Sequence, residues 1–174
     1  PEISEAHVIA TLNAYCEHLI LIGDHKQIDR TPTGFELARK YHLDVSLFDR
    51  MINMGLPYVR LEKQHRMRPE VAQLLHSLYE KLDDNEHVLE YEDVMGLEKN
   101  VYFVSHQKKD QAIEDKDSYA NEFEAFYIER LTHYLLKQGY STRQITVLTP
   151  YLGQKIMIRN QMQKAEYEGI RISN

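Results

Sequence analysis

The sequence predicts an α/β fold built around a mostly parallel sheet. Short aliphatic runs such as His18–Gly23 and Ile145–Leu148 have the continuous hydrophobicity of strands buried on both faces. Between such runs lie stretches with apolar residues at helical spacing. Strand-like and helix-like segments alternate along the chain, which is the pattern of βα units.

The elements follow in order. Ser4 to Tyr15 reads as a helix, with Ser4 at its cap and Ala6, Ile9, Ala10, Leu12 and Tyr15 apolar. His18–Gly23 reads as a buried strand. Pro32 and Gly34 interrupt the chain, and Phe35–Tyr41 and Ser46–Met54 read as two short helices ended by Gly55 and Pro57. Pro57–Leu61 is expected as a second strand. Pro69 suits the first position of a helix reaching Lys81. Residues 83–98 are acidic and irregular, with a short strand expected near Val88–Tyr91. Val101–Val104 reads as a strand and the charged stretch 106–117 as a solvated loop. The longest helix is expected over 119–138, with Phe123, Phe126, Tyr127, Leu131, Tyr134 and Leu135 on one face and Gly139 after it. Ile145–Leu148, a helix from Gly153 to about Ala165, and a strand at Ile170–Ile172 complete the order.

With 174 residues, the chain can bury roughly two-thirds of its unfolded surface. No apolar run approaches the roughly 20 residues of a membrane helix. The start at Pro1-Glu2-Ile3 lacks the features of a signal peptide and reads as a cut end. One cysteine, Cys16, excludes an internal disulfide framework and a cysteine-rich zinc site, which favours cytoplasm, with the nucleus as the alternative. The nine histidines show no metal-ligand spacing with a partner acid. A net charge of −6 argues against a broadly electrostatic nucleic-acid binder but allows a narrow single-strand groove.

Three polar segments follow expected strand ends, where ligands gather in parallel sheets. In Gly23-Asp24-His25-Lys26-Gln27, a glutamine amide can bridge a terminal phosphate oxygen and an attacking water. Taken alone, the segment also fits an ordinary loop. In Gln64-His65-Arg66-Met67-Arg68-Pro69, a guanidinium suits a phosphoryl transition state, although a solvated basic turn fits as well. In Thr149-Pro150-Tyr151-Leu152-Gly153-Gln154, a hydroxyl and helix-start amides can hold a phosphate and a tyrosine can stack on a base. Packing alone would also explain that tyrosine.

In this order and at these separations, the three segments resemble the superfamily-one helicases of the up-frameshift-like branch. Phe35–Ile52, with Leu43-Asp44-Val45-Ser46-Leu47-Phe48-Asp49-Arg50, resembles its NFX-type zinc-finger-containing members. The resemblance implies a RecA-like, P-loop NTPase helicase core, present as the tail of a first domain (1–61) and most of a second (62–174). It implies that Gln27 is the γ-phosphate sensor, with Asp24 its neighbour, and that Arg66 is the arginine finger. His65 takes the place of a tyrosine that packs on adenine, so base packing is weakened. Thr149, Pro150, Tyr151 and Gln154 match a segment lining the single-strand groove. Glu2 resembles the tail of the magnesium- and water-handling segment. Asp29-Arg30-Thr31-Pro32 departs from the family's usual Arg-Pro continuation.

The implied ligands are ATP and Mg2+ in the full-length protein, with single-stranded RNA, or alternatively DNA, as partner. No Gly-x-x-x-x-Gly-Lys-Ser/Thr occurs in the sequence, so tight ATP binding and hydrolysis are not expected of this chain alone. The alternative is an RNA-binding or scaffolding module that has a helicase-like fold and does not unwind.

Overall fold

The computed structural model describes residues 3–27, 35–113 and 118–174, with the side chains at 35, 37 and 39 left aside. Expectations at Glu2 and at Ile28–Gly34 lie outside the described residues. The chain divides into two compact units, residues 1–91 and 92–174. The boundary expected at 61/62 falls inside the first unit.

The first unit is mainly short helices. Helix α1 is Glu5–Thr11, four residues shorter at its C-terminal end than expected, α2 is Phe35–Tyr41 and α3 is Leu47–Asn53. The Ser46 hydroxyl caps α3, accepting the Asp49 N–H at 3.1 Å. An Arg50–Glu5 ion pair joins α3 to α1. Strand β1, Lys63–Gln64, pairs in parallel with β2, Asp83–Asp84. Between them lie α4, Pro69–Ala72, and a 3-10 turn, Gln73–Leu75, in place of one helix reaching Lys81. Pro69 does occupy the first helical position. Val88–Tyr91 is not a strand. The Asn85 side chain accepts the His87 N–H at 3.0 Å and starts helix α5, Glu86–Leu89, whose Val88 is fully buried.

Three expected strands form no ladder among the described residues: 18–23, 57–61 and 101–104. Most of their aliphatic and aromatic side chains are exposed, Ile22 at 94%, Val59 at 93% and Phe103 at 93%. A continuous apolar strand is buried only when neighbours pair with both edges and cover both faces. Among the described residues these segments have no such neighbours.

The second unit holds the main core. The charged stretch read as a loop contains β3, Gln111–Ile113, which pairs antiparallel with β4, Ser118–Ala120. Helix α6, Glu122–Lys137, starts at Asn121, whose side chain accepts the Glu124 N–H at 3.1 Å, and Gly139 beyond its end has φ +108°. Strand β5, Thr146–Leu148, helix α7, Leu152–Gln161, and strand β6, Arg171–Ser173, form a βαβ unit, β5 and β6 being parallel. Ala125 of α6, Val147 of β5, and Ile158 and Met162 of the α7 end are buried together with Tyr167. The Tyr167 hydroxyl donates to the buried Glu129 carboxylate, which also has the Lys164 ammonium at 3.7 Å. No helix among the described residues is long and apolar enough to cross a membrane.

Candidate functional site

In the first unit the chain runs through 18–24 without regular structure and turns at His25–Lys26, a turn the Asp24 side chain organises. One carboxylate oxygen accepts the Lys26 backbone N–H at 2.9 Å, a local bond that short acidic side chains favour in turns. The other accepts the Gln27 side-chain N–H at 3.0 Å and the Tyr79 hydroxyl at 2.6 Å. Burial alone raises the Asp24 pKa, but these three donors outweigh it and hold the carboxyl below its usual range. The Tyr79 phenol is pushed up to about 12, first by its bond to Asp24 and then by burial. With one Nε2 proton on Asp24, the Gln27 amide retains Oε1 as an acceptor, the group needed to orient a water.

Arg66 sits on the loop after β1, and Gln64 shapes that loop. The buried Gln64 side chain accepts the N–H groups of Arg66 at 2.9 Å and Met67 at 2.7 Å. Its Nε2 donates to Met67 O at 2.6 Å and to Asp84 Oδ1 at 2.7 Å. The backbone at Arg66 is therefore fixed while its side chain is exposed, and among the described residues its guanidinium has no carboxylate partner. His65 is likewise exposed. Among the described residues no group of three or more acids, histidines and cysteines is placed to hold a metal ion.

In the second unit Thr149, Pro150, Tyr151 and Gln154 line one open cleft of about 330 Å³. Thr149 is buried and its N–H donates to Ser173 O at 3.0 Å, prolonging the β5–β6 ladder. Its hydroxyl accepts the Tyr151 N–H at 3.4 Å. Tyr151 is half-exposed and meets Tyr119 edge-on, ring centroids 5.4 Å apart. Gln154 is buried, and its amide hydrogen-bonds both backbone groups of Asn121. These bonds hold the start of α7 to the start of α6 and leave one Nε2 proton and one Oε1 lone pair of Gln154 unused by Asn121. Sequence reading missed the other side of the cleft, which Lys108, Asp110, Tyr119, Asn121 and Glu124 supply. The spacing Asn121-x-x-Glu124 before an apolar run was the signal of a cap. It missed Tyr79 too, for which no local pattern exists.

A family model described as an AAA domain matches residues 43–174. The chain belongs to the AAA domain family. This match, together with the parallel β1–β2 and β5–β6 pairs, places it in the RecA-like α/β class expected from the sequence. The NFX1-type zinc finger-containing protein 1 of Mus musculus is 44% identical over 172 residues, 98% of this chain and 9% of that protein. The helicase required for RNAi-mediated heterochromatin assembly 1 of Schizosaccharomyces pombe is 33% identical over 90% of this chain and 16% of its own length. The ATP-dependent helicase NAM7 of Saccharomyces cerevisiae is 30% identical over 93% and 17%. The relatives of this AAA domain thus include helicases of the up-frameshift-like branch, and the chain spans under a fifth of each of these three.

Proposed function

We propose that this AAA domain segment is part of an ATP-dependent RNA helicase motor, with DNA as the alternative strand, and that it works within a longer polypeptide. The observation that carries the reading is the loop at Gln64–Met67, whose backbone Gln64 locks while the Arg66 guanidinium stays uncommitted. A fixed base carrying a free, permanently charged fork suits a group that must meet a phosphoryl oxygen supplied from elsewhere.

In this reading residues 1–61 are the end of a first RecA-like domain and 62–174 most of a second. ATP bound by a phosphate loop outside this sequence supplies the reacting γ-phosphoryl group, and Mg2+ is held with it. Gln27, steadied by Asp24, orients the attacking water through Oε1, and Arg66 neutralises charge developing on the γ-phosphoryl oxygens. His65 packs weakly on the base. Thr149, Pro150, Tyr151 and Gln154 line the single-strand groove, Tyr151 stacking on a base and Gln154 also holding their helix to Asn121. The chain alone neither holds ATP tightly nor hydrolyses it. Cytoplasm is the compartment proposed, with the nucleus as alternative, from its single cysteine.

A second reading is a non-unwinding RNA-binding or scaffolding module, and the cleft's charge favours its scaffolding form. Asp110 and Glu124 outnumber Lys108 there, an unfavourable balance for a phosphate backbone. RNA-stimulated ATP hydrolysis by the longer protein separates the two. The motor predicts strong stimulation that Gln27→Glu removes, whereas equal rates with and without the substitution favour the scaffold.

A further inference from the structure

The Tyr79 hydroxyl reaches Asp24 across 55 positions of sequence, at 2.6 Å. It shares the carboxylate oxygen that takes the Gln27 amide at 3.0 Å, while the Lys26 N–H holds the other oxygen. The exposed Gln27 amide has only this carboxylate to steady it among the bonds described, and a carboxylate held by its own turn alone can still rotate. The phenol is a third, non-local donor that restricts that rotation. Tyr79 is itself anchored, its N–H donating to Leu75 O at 2.9 Å at the end of the 3-10 turn that continues α4. Helix α4 begins at Pro69, three residues after Arg66. One phenol therefore joins the segment carrying Gln27 to the segment carrying Arg66.

We propose that Tyr79 is a positioning residue for ATP hydrolysis, its hydroxyl fixing the Asp24 carboxylate and through it the Gln27 amide. This rests on the reading of Gln27 as the γ-phosphate sensor. Tyr79 touches neither nucleotide nor water in this role, so its removal acts only through Gln27. Loss of the hydroxyl leaves the amide free to turn away from the water, and small misplacements of that kind lower the rate of the chemical step more than substrate affinity.

The test is RNA-stimulated ATP hydrolysis by the longer protein in four forms: unsubstituted, Tyr79→Phe, Gln27→Ala, and both together. Tyr79→Phe keeps the ring and is expected to lower kcat roughly tenfold with little change in KM for ATP. In the Gln27→Ala background the same change is expected to add no further loss. An equal loss in both backgrounds, no loss at all, or a loss that only follows a lower folded fraction in thermal unfolding overturns the proposal while leaving the sensor reading intact. A Gln27→Ala protein with the unsubstituted rate overturns the sensor reading, and the role of Tyr79 falls with it.

Discussion

The Gln154 side chain pairs with both backbone groups of Asn121, accepting its N–H at 2.6 Å and donating to its carbonyl at 3.2 Å. Both residues are buried at the wall of the cleft. Gln154→Ala would leave two backbone groups unsatisfied and is expected to cost about 2–4 kcal/mol in urea unfolding of the chain. A loss under about 0.5 kcal/mol, the scale of a neutral surface change, would mean the bonds do not form.

Gly153 allows α7 to lie against β4. A Cβ there would sit 3.0 Å from the Tyr119 carbonyl oxygen and 2.8 Å from the Ile113 side-chain end. The Ile113 methyl can move but the backbone oxygen cannot move alone. Gly153→Ala is therefore expected to destabilise the second unit by about 1–3 kcal/mol despite its better helix propensity. The unfolding midpoint in urea measures this.

Tyr167 serves the buried Glu129. Its hydroxyl donates to that carboxylate, and burial followed by this bond pushes the phenol pKa far above its ordinary value. Among the described residues, Tyr167→Phe leaves this buried acid with the Lys164 ammonium, 3.7 Å away, as its remaining partner. The expected cost is about 2–3 kcal/mol, the scale for a charged group losing a buried donor. In a Glu129→Gln background the penalty should shrink, which a double-mutant cycle reads.

The Asp24–Tyr79 bond makes a pH-dependent contribution of two signs. Tyr79 has a raised folded pKa of about 12, so its contribution is complete below the ordinary phenol value near 10 and is lost as pH rises from there through about 12. The Asp24 pKa is lowered, so its contribution is present above the unfolded carboxyl value and is lost as pH falls through the folded one. The stability difference between the unsubstituted chain and Tyr79→Phe should therefore be flat from about pH 5 to 9 and fade beyond either end. Chemical unfolding at a series of pH values follows it. A difference that grows with alkaline pH would contradict the bond.

Local pattern made the second unit legible where the partner needed for burial was itself close in sequence. Thr146–Leu148 and Arg171–Ser173 lie on either side of α7 and pair with each other, so apolar runs there became strands. The existence of α6 was readable from its periodicity, but its core face was not: Phe123, Phe126, Tyr127 and Tyr134 are exposed, and Ala125, with Ile128 and Leu136 partly buried, meets Val147 and Ile158 instead. Leu19–Ile22, Val59 and Phe103 have equal hydrophobicity but no pairing neighbour among the described residues, and hydrophobicity alone does not supply one. The β3–β4 pair escaped notice because the charges around Gln111–Ile113 read as a solvated loop and Tyr119 as the start of the long helix. Within the candidate sites, Gln27, Arg66 and Thr149 were visible through their order. Tyr79, Gln64 and Asn121, which hold them or their neighbours, were not, since their partners depend on the folded chain.

The assignment of Arg66 as the arginine finger is tested most directly by RNA-stimulated ATP hydrolysis of the longer protein carrying Arg66→Ala. The expected result is a kcat lower by roughly 10³-fold or more, with RNA affinity unchanged, because a transition-state charge contact is lost. A kcat within about twofold of the unsubstituted protein would contradict the assignment, leaving Arg66 a solvated residue on a well-ordered turn.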